Sequence, residues 1–194
     1  MSALDNSFFS LDTVIAAQEL LGCYLIHEID GMQLIGMIVE TEAYLGTADP
    51  ASHAYRGQTP RNAPMFGPVG HSYVYISYGI HHCFNVVART PQAPAGGVLI
   101  RALQPIQGVE IMKRNRGIDS DLAITNGPGK LTQAMGITLN HKGTRLDTNS
   151  NLYLTRGQEI AKSSIIATTR IGISQGQNEV LRFYIQNNKW VSKK

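Results

Sequence analysis

The densest chemistry in this chain lies between Met37 and Ala54, in the run MIVETEAYLGTADPASHA. The run begins as an extended strand. Side chains alternate along a strand, so Ile38, Glu40, Glu42 and Tyr44 share one face and Val39, Thr41, Ala43 and Leu45 the other. The second face is small and apolar and suits a core. The first carries two carboxylates, although carboxylates are depleted in strands and are almost never buried unpaired. Such a face is either a solvated sheet surface or a site. Gly46 breaks the strand, Asp49-Pro50 starts a turn, and His53 follows. A carboxylate, an aromatic ring and a histidine on one strand and its exit loop have the composition of a site. A positioned carboxylate can take a proton from water as a general base. Glu40 and Glu42 do not suit glycoside hydrolysis as a pair. They point the same way from Cα atoms roughly 6–7 Å apart and cannot flank a sugar from both sides.

Other elements must hold this stretch in place. Cys23 to Ile29 alternates as a strand, Asp30-Gly31 is a hairpin turn, and the return strand runs from about Gln33 into the carboxylates. Before it, Leu11 to Leu21 has helical spacing, with Ser10 as the cap and Gly22 as the stop. Pro50 to Gly70 is a long loop bearing Arg56, Arg61 and Asn62, with His53, Tyr55, Met65 and Phe66 as anchors. Ser72 to Ser77 is a strand with Tyr73 and Tyr75 on one face. Tyr78-Gly79 turns it into Ile80 to Ala88. A tyrosine at a hairpin tip either folds back onto the sheet or stands out as a wedge that enters a base stack. Asn85 on the return strand either reads a base edge or satisfies a core hydrogen bond. Gly97 to Leu103 is an apolar strand closed by Pro105. Its Arg101 is either paired with a carboxylate or presented to a phosphate. Val109 to Asn115 suits a short helix. NGPGKL (126–131) opens another, and its backbone N–H groups with Lys130 form an anion site suited to a DNA phosphate. It lacks the spacing and the Ser or Thr of a nucleotide-binding P-loop. Arg170 to Ile173 and Val180 to Gln186 have the pattern of closing strands of an antiparallel sheet.

Composition bounds the rest. The 194 residues are 43% hydrophobic and 16% charged, as expected for one globular domain, 1–194. Cys23 and Cys83 do not make a disulfide framework, which fits two reduced thiols. No targeting segment or membrane-length apolar run is evident, so a cytoplasmic or nucleoid-associated protein is expected. The formal charge is +3, but residues 1–50 hold eight acids and no Lys or Arg, while all seventeen Lys and Arg follow. Separate acidic and basic surfaces, the latter for a polyanion, would explain it. His81-His82-Cys83 is no metal site, because neighbours on a strand point to opposite faces.

The blocks IVETEAYLG, ASHAYRGQTPRNAPMFG, YVYISYGIHHCFNVV, VLIRALQP and NGPGKL, in this order, resemble the alkyladenine (3-methyladenine) DNA glycosylase family. The resemblance runs from about Leu11 to the last residues. It implies a single α+β domain with a curved, mainly antiparallel sheet, an open barrel-like core, a protruding β-hairpin and surrounding short helices. It implies a DNA repair enzyme that flips an alkylated or deaminated purine from duplex DNA and hydrolyses its N-glycosidic bond. Glu42 would be the catalytic base. Tyr44, His53 and Tyr75 would sandwich the base. Asn85 would stand at the pocket wall against purines with a 2-amino group. Tyr78 would intercalate, with Arg101, Lys130, Arg61 and Asn62 as further DNA contacts. No metal, no cofactor, no membrane and a monomer are expected. The competing class is a non-catalytic module for damaged or single-stranded nucleic acid, which stacking aromatics and basic residues would also serve. Glu42 separates the two, since a carboxylate facing phosphodiesters hinders pure binding.

Overall fold

The computed structural model describes residues 2–193. The architecture is built on one long strand, β2 (Met32–Tyr44), in which every residue from Leu34 to Ala43 is buried. Burial without alternation means that both faces are covered. Along one edge β2 pairs antiparallel with β5 (Gly97–Gln107). The other edge is shared: β1 (Tyr24–Ile29) takes Met32–Met37, and β8 (Arg182–Ile185) takes Glu40–Glu42. The sheet therefore forks halfway along β2. Beyond β5 lie β4 (His81–Val86) and then β3 (Ser72–Ser77). Beyond β1 lies β6 (Leu152–Thr155), and beyond β8 lies β7 (Ile165–Thr168). All pairings are antiparallel. The sheet curls into a half-barrel with a few short helices against it, the mixed α+β class expected from the sequence.

At the fork the register slips on either side of Glu40. A bulge places an extra residue in one strand and resets the alternation of side chains. Ile38 and Glu40 consequently do not share a face. Ile38 packs in the main core with Ala43, whereas Val39 joins Met37, Ala102 and Val191 in a smaller cluster. Thr41 turns inward and donates to the Ala17 carbonyl at 2.8 Å. Glu40, Glu42 and Tyr44 stay on the far side of β2 from this core.

Two hairpins form where their turn residues require. Asp30 and Gly31 both have left-handed φ, +50° and +77°, as a two-residue turn needs. Tyr78 (φ +50°) and Gly79 (φ +72°) reverse the β3–β4 hairpin. Tyr78 stands out of the turn rather than folding back: 86% of it is exposed, and Ile80 beside it is also exposed.

Some expectations need correction. The helix after Leu11 is α2 (Thr13–Glu19), following the short α1 (Asn6–Phe9), and its cap is Asp12, whose carboxylate accepts from Val14 and Ile15 N–H, not Ser10. β5 does not stop at Pro105 but continues to Gln107. Pro105 lies opposite a register slip at Ile35–Gly36, where its missing N–H does least harm. Arg170 to Ile173 is not a strand. With Gly172 and Gly176 at positive φ it forms an irregular loop between β7 and β8. The remaining helices, α3 (Val109–Arg116) and α4 (Pro128–Met135), pack together, and Asn115 Nδ2 donates to the Ala134 carbonyl across the contact.

Candidate active site

A cavity of about 520 Å³ opens between the β3–β4 hairpin, the Pro50–Met65 loop, the end of β2 and the 171–175 loop. That volume is in the range of small-ligand sites. One wall is aromatic. The Tyr73 and Tyr75 rings are 5.3 Å apart and tilted by 30°, and His53 meets Tyr75 edge-on at 4.6 Å. The Tyr73 hydroxyl lies 2.9 Å from His53 Nδ1. His53 is exposed at the rim, yet partial desolvation of its ring, and then the Arg61 charge, keep its pKa below the ordinary value. It is neutral near pH 7, so its Nδ1 can accept from Tyr73. Burial pushes the Tyr73 hydroxyl up to about 12 and that of Tyr75 further, so both remain protonated. Cys83, Asn85, Leu99 and Arg101 complete the walls, and Tyr78 stands at the mouth.

Glu42 lies directly behind this cavity. It is fully buried, and so is Glu40. The solvated-face reading of these carboxylates is therefore overturned. The Tyr44 hydroxyl donates to Glu42 Oε2 at 2.8 Å, and the Ile171 N–H donates to Oε1 at 2.8 Å. Arg101 Nη1 lies 3.2 Å from Oε1. Tyr44, Arg101 and Ile171 all line the cavity, so Glu42 is one side chain removed from it on three sides. An ionised carboxylate has about four acceptor sites. Oε2 accepts from Tyr44 alone, whereas Oε1 accepts from Ile171 and faces the Arg101 charge. Burial, and then the Glu42 charge, push the Tyr44 hydroxyl far up, so it is a fixed donor.

Arg101 is paired with carboxylates rather than presented to a phosphate. Its Nε holds Glu40 Oε1 at 3.2 Å while Nη1 holds Glu42. Burial opposes its charge, but Glu42 and Glu40 outweigh that and raise its pKa. The expected DNA contact by Arg101 is corrected accordingly. Asn62 is corrected too. It is only 2% exposed and braces the loop from within: Oδ1 accepts from Thr59 N–H, and Nδ2 donates to the carbonyls of His53 and Gly57. It positions His53 and does not face solvent. Arg61 is exposed, with its guanidinium 5.3 Å over the Tyr75 ring and Nη2 donating to the Ile76 carbonyl. Lys130 lies on the first turn of α4 and donates to Asn126 Oδ1 at 2.8 Å. Asn85 makes the internal hydrogen bond, its Nδ2 donating to the Tyr73 carbonyl, and it also lines the cavity.

The structure adds residues that sequence reasoning missed. Tyr73 belongs to the aromatic wall, and its shared face with Tyr75 was the available signal. Arg170 is fully buried, forks onto both oxygens of Asp49, donates to the Ala43 carbonyl and lies 4.8 Å over the Tyr44 ring. Burial disfavours the Asp49 charge, but the Arg170 hydrogen bond and the N–H groups of Ala51 and Leu45 lower its pKa overall. The 171–175 loop that follows Arg170 was hidden, because the alternation from Arg170 to Ile173 reads as a strand. Among the described residues no three His, Cys, Asp or Glu side chains are placed to share a metal ion, and no helix is long and apolar enough to cross a membrane.

An aromatic cage on a half-barrel, backed by a buried carboxylate and fronted by an exposed tyrosine, has the shape and chemistry to hold a flat ring beside a proton acceptor. Residues 7–189 match the family model described as methylpurine-DNA glycosylase. Three relatives, each named "Putative 3-methyladenine DNA glycosylase", are similar over nearly their whole lengths. The protein of Carboxydothermus hydrogenoformans is 51% identical over 98% of this chain and 99% of its own. That of Prosthecochloris aestuarii is 47% identical over 100% and 92%, and that of Methanoculleus marisnigri 45% over 98% and 99%. The chain belongs to the methylpurine-DNA glycosylase family: it is a DNA repair glycosylase that hydrolyses N-glycosyl bonds.

Proposed function

We propose that this protein takes an alkylated or deaminated purine (3-methyladenine, 7-methylguanine or hypoxanthine) out of duplex DNA into the cavity and hydrolyses its N-glycosidic bond with a water activated by Glu42. An abasic site remains. The observation that carries the reading is the placement of Glu42 directly behind a cage made by Tyr44, His53, Tyr73 and Tyr75.

The steps follow from these residues. A base in the stack is out of reach of any side chain, so the nucleotide must be extruded. Tyr78, exposed at the hairpin tip, fills the gap. A 3- or 7-alkylated purine carries positive charge, and each electron-rich ring it meets contributes about 0.5–2 kcal/mol. Such a base is already a good leaving group. As the bond breaks, positive charge develops at the sugar, and the Glu42 carboxylate both stabilises it and takes the proton of the attacking water. The Tyr44 hydroxyl and the Ile171 N–H hold the carboxylate so that it need not reorganise. Cavity-lining residues include no lysine, so no Schiff base to the sugar is expected and the enzyme is monofunctional.

The test is base release from duplexes carrying each lesion, with borohydride present in one arm and EDTA in another. Release without a trapped adduct and without chelator loss supports the reading. No release from any of the three lesions would remove it.

A further inference from the structure

We infer that Glu40 is a positioning residue: held by Arg182 and by Ser192, it fixes Arg101 and, through Arg101, sets the place and proton affinity of the catalytic carboxylate. This inference rests on Glu42 being the base, as proposed above.

Glu40 does not line the cavity and touches nothing in it. It is nevertheless fully buried and accepts four hydrogen bonds. Arg101 Nε at 3.2 Å and Arg182 Nη1 at 2.9 Å share Oε1, to which the Ser192 hydroxyl also donates at 3.0 Å. The Ser192 N–H donates to Oε2 at 2.7 Å. A carboxylate so completely satisfied cannot turn, and neither can the guanidinium it holds. Arg101 has its other end on Glu42. Segment 190–193 closes the arrangement, because Arg182 Nη1 also donates to the Lys193 carbonyl and Val191 packs against Val39 and Ala102. Two acids and two arginines therefore form one neutral buried cluster. A buried cluster of this kind is weak evidence of a contribution to stability, since apolar side chains of like volume often serve as well. Its use here is electrostatic. Were Glu40 neutral, Arg101 would have Glu42 as its one carboxylate partner. The carboxylate would hold its proton less tightly and would be a weaker base for water.

The experiment is single-turnover base release from 3-methyladenine DNA across pH, for wild type, Glu40→Gln and Ser192→Ala, with lesion affinity and thermal unfolding measured alongside. Glu40→Gln keeps shape and loses charge. We expect a plateau rate about tenfold lower, with its acidic limb displaced to lower pH by about one unit, and a dissociation constant within about twofold of wild type. Ser192→Ala keeps all four charges and removes one tether. We expect a rate lowered about two- to threefold with the acidic limb unmoved. A merely structural Glu40 would lower the melting temperature and leave the acidic limb in place, and that result would overturn the inference. If Glu40→Gln does not fold, a wild-type rate in Ser192→Ala overturns it instead. Should wild type release no base, the glycosylase reading of the site fails first, and the two failures are thereby told apart.

Discussion

The backbone N–H of Ile171 donates to Glu42 Oε1 at 2.8 Å, joining two residues 129 positions apart in the chain. The contact makes the loop between β7 and β8 part of the candidate site. The loop is pinned by Arg170, which is bound to Asp49 and to the Ala43 carbonyl on the β2 side. The Glu42 carboxylate is thus held by β2, by β5 through Arg101 and by this loop.

Glu42→Gln tests the base directly. The amide keeps the size of the side chain and can still accept from Ile171, but it cannot take a proton. Single-turnover release should fall by roughly 10²–10⁴, with affinity for lesion DNA equal or higher. Because Glu42 is buried against Arg101, the melting temperature should fall as well. A wild-type rate in a folded variant would remove Glu42 from the mechanism.

Salt dependence separates the arginines. Arg61→Ala and Lys130→Ala should each flatten the slope of log affinity against log salt by up to about one unit. Arg101→Ala should leave that slope alone and lower both rate and stability, since it strands two buried carboxylates, at about 3–5 kcal/mol for a broken buried pair. A flattened slope for Arg101→Ala would return it to the DNA interface.

Tyr78→Ala should impair extrusion rather than chemistry. Loss of a stacked ring costs on the order of 1–3 kcal/mol, and the deficit should shrink when the target base is already mismatched. With its side chain in solvent, the substitution should not move the melting temperature. Equal deficits on paired and mismatched targets would mark Tyr78 as structural.

A histidine pair away from the cavity, His27 and His141, predicts pH-dependent stability. The Met135 carbonyl lies 2.7 Å from His27 Nδ1 and can only accept, so that nitrogen carries a hydrogen. The Thr138 N–H donates to His141 Nδ1, so His141 carries its hydrogen on Nε2, 3.2 Å from the bare Nε2 of His27. Both rings are held neutral. Burial lowers the pKa of His27, and burial followed by the neighbouring His27 lowers that of His141. The folded state therefore binds fewer protons than the unfolded chain below the ordinary value of 6.5. Stability should be fully present above that pH and decline as pH falls through it. His27→Gln should flatten the decline below pH 6.5. An unchanged slope in denaturant titrations would count against this account.

Much of the scaffold was legible. Alternation and turn chemistry located β3 to the residue and gave both hairpins, because Asp30-Gly31 and Tyr78-Gly79 state their turns locally. The bulge at Glu40 was not legible, since it arises where β1 gives way to β8 and nothing in MIVETEAY announces a change of partner. Burial of Glu40 and Glu42 was hidden for the same reason. Their counter-charges include Arg182 and a hydroxyl at Ser192, which only the fold brings near. The lopsided charge of the sequence also reads differently now. Three of the early acids, Glu40, Glu42 and Asp49, find their arginines at 101, 182 and 170 inside the protein, so part of the asymmetry is internal pairing rather than two surfaces.

The fork in β2 has a consequence in time. The strand can complete its pairing with β1 and β5 from residues 24–107 alone, but Glu40 stays without Arg182 and Ser192, and Glu42 without the Ile171 N–H, until residues 170–192 dock. Contacts of such long sequence separation form late when loop closure dominates the barrier. The only tryptophan, Trp190, sits in that docking segment, with its indole N–H on the Asp121 carbonyl. In a refolding experiment, far-ultraviolet dichroism should report the sheet first. Tryptophan emission and the capacity to release base should then return together, so that a half-finished chain presents a folded sheet that cannot cut DNA bases away.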